Sequence, residues 1–403
     1  MRQNRAVDGP RVEDALAELE SVVRQPMGDQ EIGADWYWQG IPYDLAGDKI
    51  KALHLPPVEQ QALRQLRLAV IDDMRFERLD DRAIDEATWR FVCLSYLRRD
   101  ESHVDWFMAE YASEVMQREC FFPVLHLAVT EGLDLGGARL IPADDVELPQ
   151  RILGPDPKET MASAIAVECT GADYNKMVLR ATEIAKHRLR VLRAGLREER
   201  WMPDRQLRFE LGQSVWFDDG ASGWSHPPTL GWDYTLDAAT FGRAMSVPVA
   251  SLSPVAASDV DECANRALKW WEQAHLAVDD LMETLFLFFA LEAILGSSRG
   301  PKARPLALRR AILGHKTTGG FAHPNRVYGL YKDVRNAAVH GGDPPKVADD
   351  ELQAFASDAR RALNEYLDFA RAEKFTERDQ LLAALDADPG IDEIAERFLP
   401  EVG

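Results

Sequence analysis

The chain has 403 residues, 46% of them hydrophobic, and a formal net charge of −20. That length accommodates two or three domains of ~100–200 residues each, with an ordinary apolar core. So acidic a chain is excluded from coating nucleic acid indiscriminately, because phosphate repels it, and any RNA contact has to come from a local basic surface.

The first ten residues, Met-Arg-Gln-Asn-Arg-Ala-Val-Asp-Gly-Pro, lack the apolar stretch of a signal peptide. Residues 1–119 read as a mostly helical region. Apolar residues recur at helical spacing over Val12 to Val23 and Val58 to Met74, and Glu86 to Arg98 and Val104 to Glu119 continue the pattern. The Trp36-Tyr37-Trp38 patch, bracketed by Gly33 and Gly40, predicts a short strand or an ordered loop.

From 120 to 257 short β-rich runs stand between turn residues: Phe121 to Val129, Ala138 to Ile141, Ala164 to Cys169, Leu207 to Phe217 and Trp232 to Leu236. One long amphipathic helix, Ala172 to Arg200, interrupts them. This predicts a small α+β domain, closed by a Pro, Ser, Val and Ala-rich linker over Ser246 to Ser258. Ser258-Asp259 supplies an N-cap, and helices are expected over Val260 to Leu276, Val278 to Leu295, Arg304 to Leu313, Asn325 to Val339 and Ala348 to Ala370. Residues 258–372 are therefore read as a helical domain and 373–403 as an acidic tail with two short helices around Asp388-Pro389-Gly390. The fold class expected is α+β, mainly helical.

The four cysteines, Cys93, Cys120, Cys169 and Cys263, lie far apart with no Cys-x-x-Cys, which argues against a disulfide framework or zinc knuckle and fits a reducing cytoplasm. The most apolar run, Leu285 to Leu295, is shorter than the ~18–20 residues of a membrane span and contains Glu292, so a buried helix is expected and no membrane partner. There is no phosphate-binding glycine loop, no Gly-x-Gly-x-x-Gly, no His-Glu-x-x-His and no Gly-x-Ser-x-Gly. The scattered Asp-Asp pairs read as solvated surface or helix caps, and neither a metal nor another cofactor is expected.

The chemistry-bearing stretch is Leu330-Tyr331-Lys332-Asp333-Val334-Arg335-Asn336-Ala337-Ala338-Val339-His340-Gly341-Gly342. RNA cleavage by internal transfer removes a proton from the 2′-hydroxyl, delivers one to the leaving 5′-oxygen and balances charge on the phosphate. A histidine moves protons near neutrality, an arginine keeps its charge and matches phosphate with a planar fork, and an asparagine can hold the ring or a phosphate oxygen. Asn336 and His340 are four apart and share a helix face, as do Tyr331 and Arg335. Arg335 and His340 are five apart, about 140° round an ideal helix. Three arrangements remain open: the helix frays at His340-Gly341-Gly342, Arg335 curls round, or a second copy of the chain completes the site.

With Leu291-Glu292-Ala293 on the preceding helix, the Leu-Tyr…Arg-Asn-x-x-Val-His-Gly string resembles the HEPN superfamily, in particular its Apea-like branch. The resemblance covers residues 258–372 and implies a helical bundle that pairs with a second copy. It implies metal-independent RNA cutting in prokaryotic antiviral or toxin–antitoxin systems, with a phage-derived trigger or an antitoxin as a further partner. Arg335, Asn336 and His340 then take the catalytic positions, with Tyr331 and Glu292 in support. The alternative is a non-catalytic bundle that dimerises and holds RNA or a partner protein.

Charge is distributed unevenly around the motif. Between residues 296 and 346 ten Lys/Arg face two Asp, so phosphate attraction is expected there, with Lys332, Arg326, Arg310 and Lys316 as RNA-binding residues. A second basic run lies over Lys176 to Arg200.

Overall fold

The computed structural model describes residues 11–23, 57–97, 102–145, 162–199, 209–212, 215–218, 232–277, 279–296, 303–320, 323–342, 345 and 347–399. Most of these residues are helical, with one small sheet. They divide into two compact units, Met1–Glu119 with Glu168–Ala181, and Cys120–Val167 with Thr182–Gly403. Residues 120–257, read from sequence as one α+β domain, contribute to both.

In the first unit four helices form: α1 (Val12–Val23), α2 (Pro57–Asp72), α3 (Asp81–Leu97) and α4 (Val104–Tyr111). The apolar spacing of α1 is realised as a buried stripe, Val12, Ala15, Leu16, Leu19 and Val23, packed with Leu63, Leu66, Phe91 and Phe107. Phe107 is flanked by the rings of Phe76 and Phe91 at 5.8 and 5.7 Å. Sequence periodicity carries the fourth helix to Glu119, but it ends at Tyr111 and the chain is extended again from Met116. Ladder pairing along a long strand overrides the local helical pattern there. The Trp36-Tyr37-Trp38 patch lies outside the described residues.

The strands are β1 (Met116–Val129), β2 (Leu133–Asp134), β3 (Arg139–Pro142), β4 (Ser163–Gly171), β5 (Glu210–Leu211), β6 (Trp216–Phe217) and β7 (Trp232–Leu236). Their order is β2-β3-β4-β1-β5, with β6 and β7 also pairing β1. All the registered pairs are antiparallel except β7 on β1, where Val129 faces Leu236. Gly136 and Gly137, both at positive φ, turn β2 into β3. The register on β7 shifts at His126, whose φ of 62° marks a bulge.

Helix α5 (Tyr174–Glu199) follows β4, and its Arg190 and Arg193 both bind Glu272 of the second unit's first long helix, at 2.6 and 2.7 Å. A short helix, α6 (Ala238–Ala244), escaped the sequence reading; Asp237 caps it by accepting from Thr240 N–H at 2.7 Å. The segment read as a linker, 246–258, is anchored. Val249 and Leu252 are buried, Val249 N–H donates to Asn364 at 2.9 Å, and Leu252 C=O accepts from Arg188 and bonds His187 Nε2. Its lack of charge reflects burial and not mobility.

The rest of the second unit is a helical array: α7 (Asp259–Leu276), α8 (Asp280–Leu295), α9 (Ala303–Thr318), α10 (Pro324–Leu330), a π-helical turn over Tyr331–Arg335, α11 (Asn336–Val339), α12 (Asp349–Glu373), α13 (Arg378–Asp386) and α14 (Ile391–Phe398). Ser258 and Asp279 cap α7 and α8, accepting from Asp261 and Met282 N–H. Helix α8 packs against α7, α9 and α12. One core runs through these helices, containing Trp271, Phe288, Leu291, Tyr331, Phe355 and Tyr366, and the acidic C-terminal segment adds Leu381, Leu382 and Leu385 to it. Among the described residues no helix is long and apolar enough to cross a membrane.

Candidate functional site

Pro324 begins α10, where its missing N–H costs nothing and its fixed φ suits a first helical turn. The helix then widens. Asn336 N–H donates to Tyr331 C=O, five residues back, so one extra residue is accommodated over Tyr331–Arg335. The following α11 is a single turn. It closes with His340 N–H on Asn336 C=O at 3.0 Å and Gly342 N–H on Ala337 C=O at 2.8 Å. Gly341 lies in the left-handed region at φ 78°, which a side chain resists, and the six-to-one bond makes this a Schellman stop. His340 is the capping residue and its side chain is exposed.

The guanidinium of Arg335 is held from three directions. Its Nη2 lies 3.0 Å from Oε1 and 3.3 Å from Oε2 of Glu292 on α8. The Tyr331 hydroxyl donates to the same Oε1 at 2.7 Å. Arg335 Cζ sits 5.0 Å from the centre of the Tyr331 ring, and that ring meets Phe288 edge-on at 5.2 Å. Burial, and then the bond to Glu292, push the Tyr331 phenol well above its ordinary range, with Arg335 opposing. Only 13% of the Arg335 side chain and 17% of Glu292 remain accessible. Charge-assisted bonds at such burial contribute about 1.5–3 kcal/mol each, enough to hold the fork in one orientation. Arg335 Nε is buried with no hydrogen-bond partner.

The structure thus brings together Glu292, Tyr331 and Arg335. Among the described residues no hydrogen bond joins Asn336 or His340 to that cluster; Asn336 is half-buried and His340 exposed. The helix is ordered through Val339, so it does not fray ahead of the cap. The arrangement provides a fixed cation, a carboxylate behind it and an unencumbered imidazole one and a half turns further on.

The basic surroundings differ from a count along the sequence. Lys332 is exposed and Arg326 half-buried, and neither forms an ion pair among the described residues. Arg310 is not available to RNA: it is 1% exposed and its Nη atoms bind Glu365 at 2.5 Å and Asp358 at 2.8 Å inside the bundle. Lys316 is bound to Asp388 at 2.7 Å, and the neighbouring Arg309 to Asp386 at 2.6 Å. Carboxylates 48 to 77 residues later in the chain answer the positive charges of α9, so most of the local excess is neutralised internally.

Two arginines outside the motif touch the helix that carries Glu292. Arg309 Nη1 donates to Leu295 C=O at 2.8 Å, and Arg378 donates to Ala293 C=O at 3.3 Å and to Gly296 C=O. A signal for Arg378 exists in the sequence: a cation at the first position of a helix opposes the dipole and calls for a compensating partner.

Comparison of the chain with protein-family models, with curated proteins and with solved structures found no match.

Proposed function

We propose that the chain is an endoribonuclease that cuts RNA by acid–base transfer without a metal, as the HEPN resemblance implies. The 2′-hydroxyl attacks the adjacent phosphorus and the 5′-oxygen leaves, giving a 2′,3′-cyclic phosphate and a free 5′-hydroxyl. His340 removes or delivers the proton, Arg335 offsets the charge of the phosphorane, and Asn336 positions the phosphate or the ring. Lys332 and Arg326 guide the backbone of the substrate. The observation that carries this reading is a guanidinium immobilised by Glu292 and Tyr331, five residues ahead of an exposed imidazole.

The site is completed by a second copy of the chain. Helix α8 is apolar round its whole circumference, and its outer side leaves Met282, Leu285, Phe286 and Phe289 half-buried. Trp270 lies 5.8 and 5.0 Å from the rings of Phe286 and Phe289, and Leu276 and Leu281 beside them are exposed. An apolar face of this kind marks a contact surface. Glu292 follows Phe289 by three residues on the same side, so a copy docked there brings its own motif next to the first. The activity belongs in a cytoplasmic antiviral or toxin-type system in which a phage-derived trigger or an antitoxin controls cutting.

The alternative, a non-catalytic module that dimerises and binds RNA or protein, is favoured by one observation: Glu292 already answers the charge of Arg335. Labelled RNA incubated in chelator with the wild type and with His340→Ala separates the two. Cyclic-phosphate ends formed by the wild type and lost in the variant support the nuclease. Equal binding with no cutting by either, together with phage restriction that survives Arg335→Ala, sinks it.

A further inference from the structure

We infer that the C-terminal hairpin, α13 with α14, is a strap that sets the position of Glu292 and through it of Arg335, with Arg309, Arg378 and Asp386 as positioning residues. The inference rests on the nuclease reading for its consequence in catalysis, but its structural basis is independent of it.

The last turn of α8 runs from Glu292 to Leu295, and its carbonyls have no partners within the helix. Arg378 binds those of Ala293 and Gly296, and Arg309 binds that of Leu295. Cations are favoured at a helix C-terminus, and here two guanidinium groups share one turn. Both are governed by α13. Arg378 is its first residue and fixes itself by donating its backbone N–H to Asp259 at 2.8 Å. Asp386 is its last residue and grips Arg309 in a two-pronged pair, Nε–Oδ1 at 2.7 Å and Nη2–Oδ2 at 2.6 Å. The two ends of a helix about 13 Å long are therefore tied to the same turn of α8.

The other half of the strap reaches the opposite wall of the site. Ile391, Ile394, Ala395 and Leu399 on and after α14 pack with Leu308 and Tyr328, and Tyr328 lies three residues before Tyr331. Phe398 meets His323 edge-on at 5.8 Å, at the start of α10. Between the two helices Asp388 binds Lys316 and also accepts Gly390 N–H at 2.9 Å, which fixes the turn. The strap thus bears on both the helix holding the carboxylate and the helix running into the guanidinium. Its Asp386 tie is 45% accessible, so a competing polyanion or partner reaches it without unfolding the core.

The test uses the full chain labelled with 15N-arginine. The variants are Asp386→Asn, Arg378→Ala, the two combined, and Asp386→Glu as the conservative control. Folding is checked by circular dichroism and thermal melting. The readouts are the exchange of the Arg335 guanidinium hydrogens, slow while Glu292 holds them, and the kcat and KM for RNA. The expected result is faster exchange at Arg335 in the first three variants, recovery in Asp386→Glu, and a fall in kcat of about tenfold with KM unchanged. Arg335 signals identical to the wild type in the folded double variant overturn the strap. If the wild type cuts no RNA, the nuclease reading falls and the guanidinium signals alone decide this inference.

Discussion

Tyr331 and Arg335 converge on a single oxygen of Glu292, the hydroxyl at 2.7 Å and Nη2 at 3.0 Å. One carboxylate thereby aligns a phenol on the core side with a guanidinium on the accessible side, and the geometry of the cation depends on an acid from another helix.

Replacing Glu292 by Gln keeps the volume and removes the charge. The loss of a charge-assisted acceptor at this burial costs about 1.5–3 kcal/mol, read as a lower urea midpoint with an unchanged slope. RNA cutting falls with it, because Arg335 no longer keeps one orientation, and the Tyr331 phenol ionises more readily. A variant with wild-type cutting shows that the carboxylate is not needed to present the arginine.

His340→Ala is expected to separate activity from stability. The imidazole is exposed, so stability changes by no more than about 0.5 kcal/mol. Removal of a proton-transfer group lowers cutting by about 10²–10⁴-fold. Gly341→Ala behaves in the opposite manner. A Cβ there meets nothing within 4 Å, but φ 78° costs about 1–2 kcal/mol for any side chain, and the stop that presents His340 is loosened. Equal melting temperatures for wild type and Gly341→Ala count against the Schellman assignment.

Arg310→Ala leaves Asp358 and Glu365 buried without their cation, for a loss of about 3–5 kcal/mol in denaturant titration. Under conditions where the variant is folded its RNA affinity matches the wild type. Lys332→Ala reverses the pattern: stability is kept while RNA binding weakens and its dependence on salt becomes shallower by about one phosphate contact. RNA affinity lost in folded Arg310→Ala would return that residue to the binding surface.

His187 gives the second unit a predictable response to acid. Burial lowers its pKa to about 4, reinforced by Arg188, Arg190 and Lys269 and opposed by its bond to Leu252 C=O. The unfolded chain takes up this proton near pH ~6.5 and the folded chain does not. Stability is therefore fully kept above ~6.5 and is lost as pH falls toward 4, by up to about 3 kcal/mol. His187→Gln retains a donor for Leu252 and flattens that slope in urea midpoints measured from pH 4 to 7. A slope equal to that of the wild type excludes His187 as its source.

Much of the helical framework was legible because burial repeats at 3.6 residues, as at Val12, Leu16, Leu19 and Val23, and because Ser258 and Gly341 are caps with a local mechanism. The pairing of Glu292 with Tyr331 and Arg335 was marked only as support, since a sequence does not say which carboxylate faces which cation. Arg310 was misread for the same reason, its partners lying 48 and 55 residues away. The wide turn at Tyr331–Arg335 has no residue signature and arises from how the segment seats Tyr331 on Phe288 while Arg335 reaches Glu292. Val249 and Leu252 were assigned to a linker because an uncharged Pro and Ser-rich run looks alike whether it is solvated or packed.

That wide turn has a consequence for how the segment tolerates length change. Removing one residue between Lys332 and Val334 would restore ordinary helical pitch and gain a tighter backbone, yet rotate all that follows by about 100°. Arg335 and His340 would swing away from Glu292 together, so the chain here is intolerant of shortening even though the shortened helix is locally the more comfortable one.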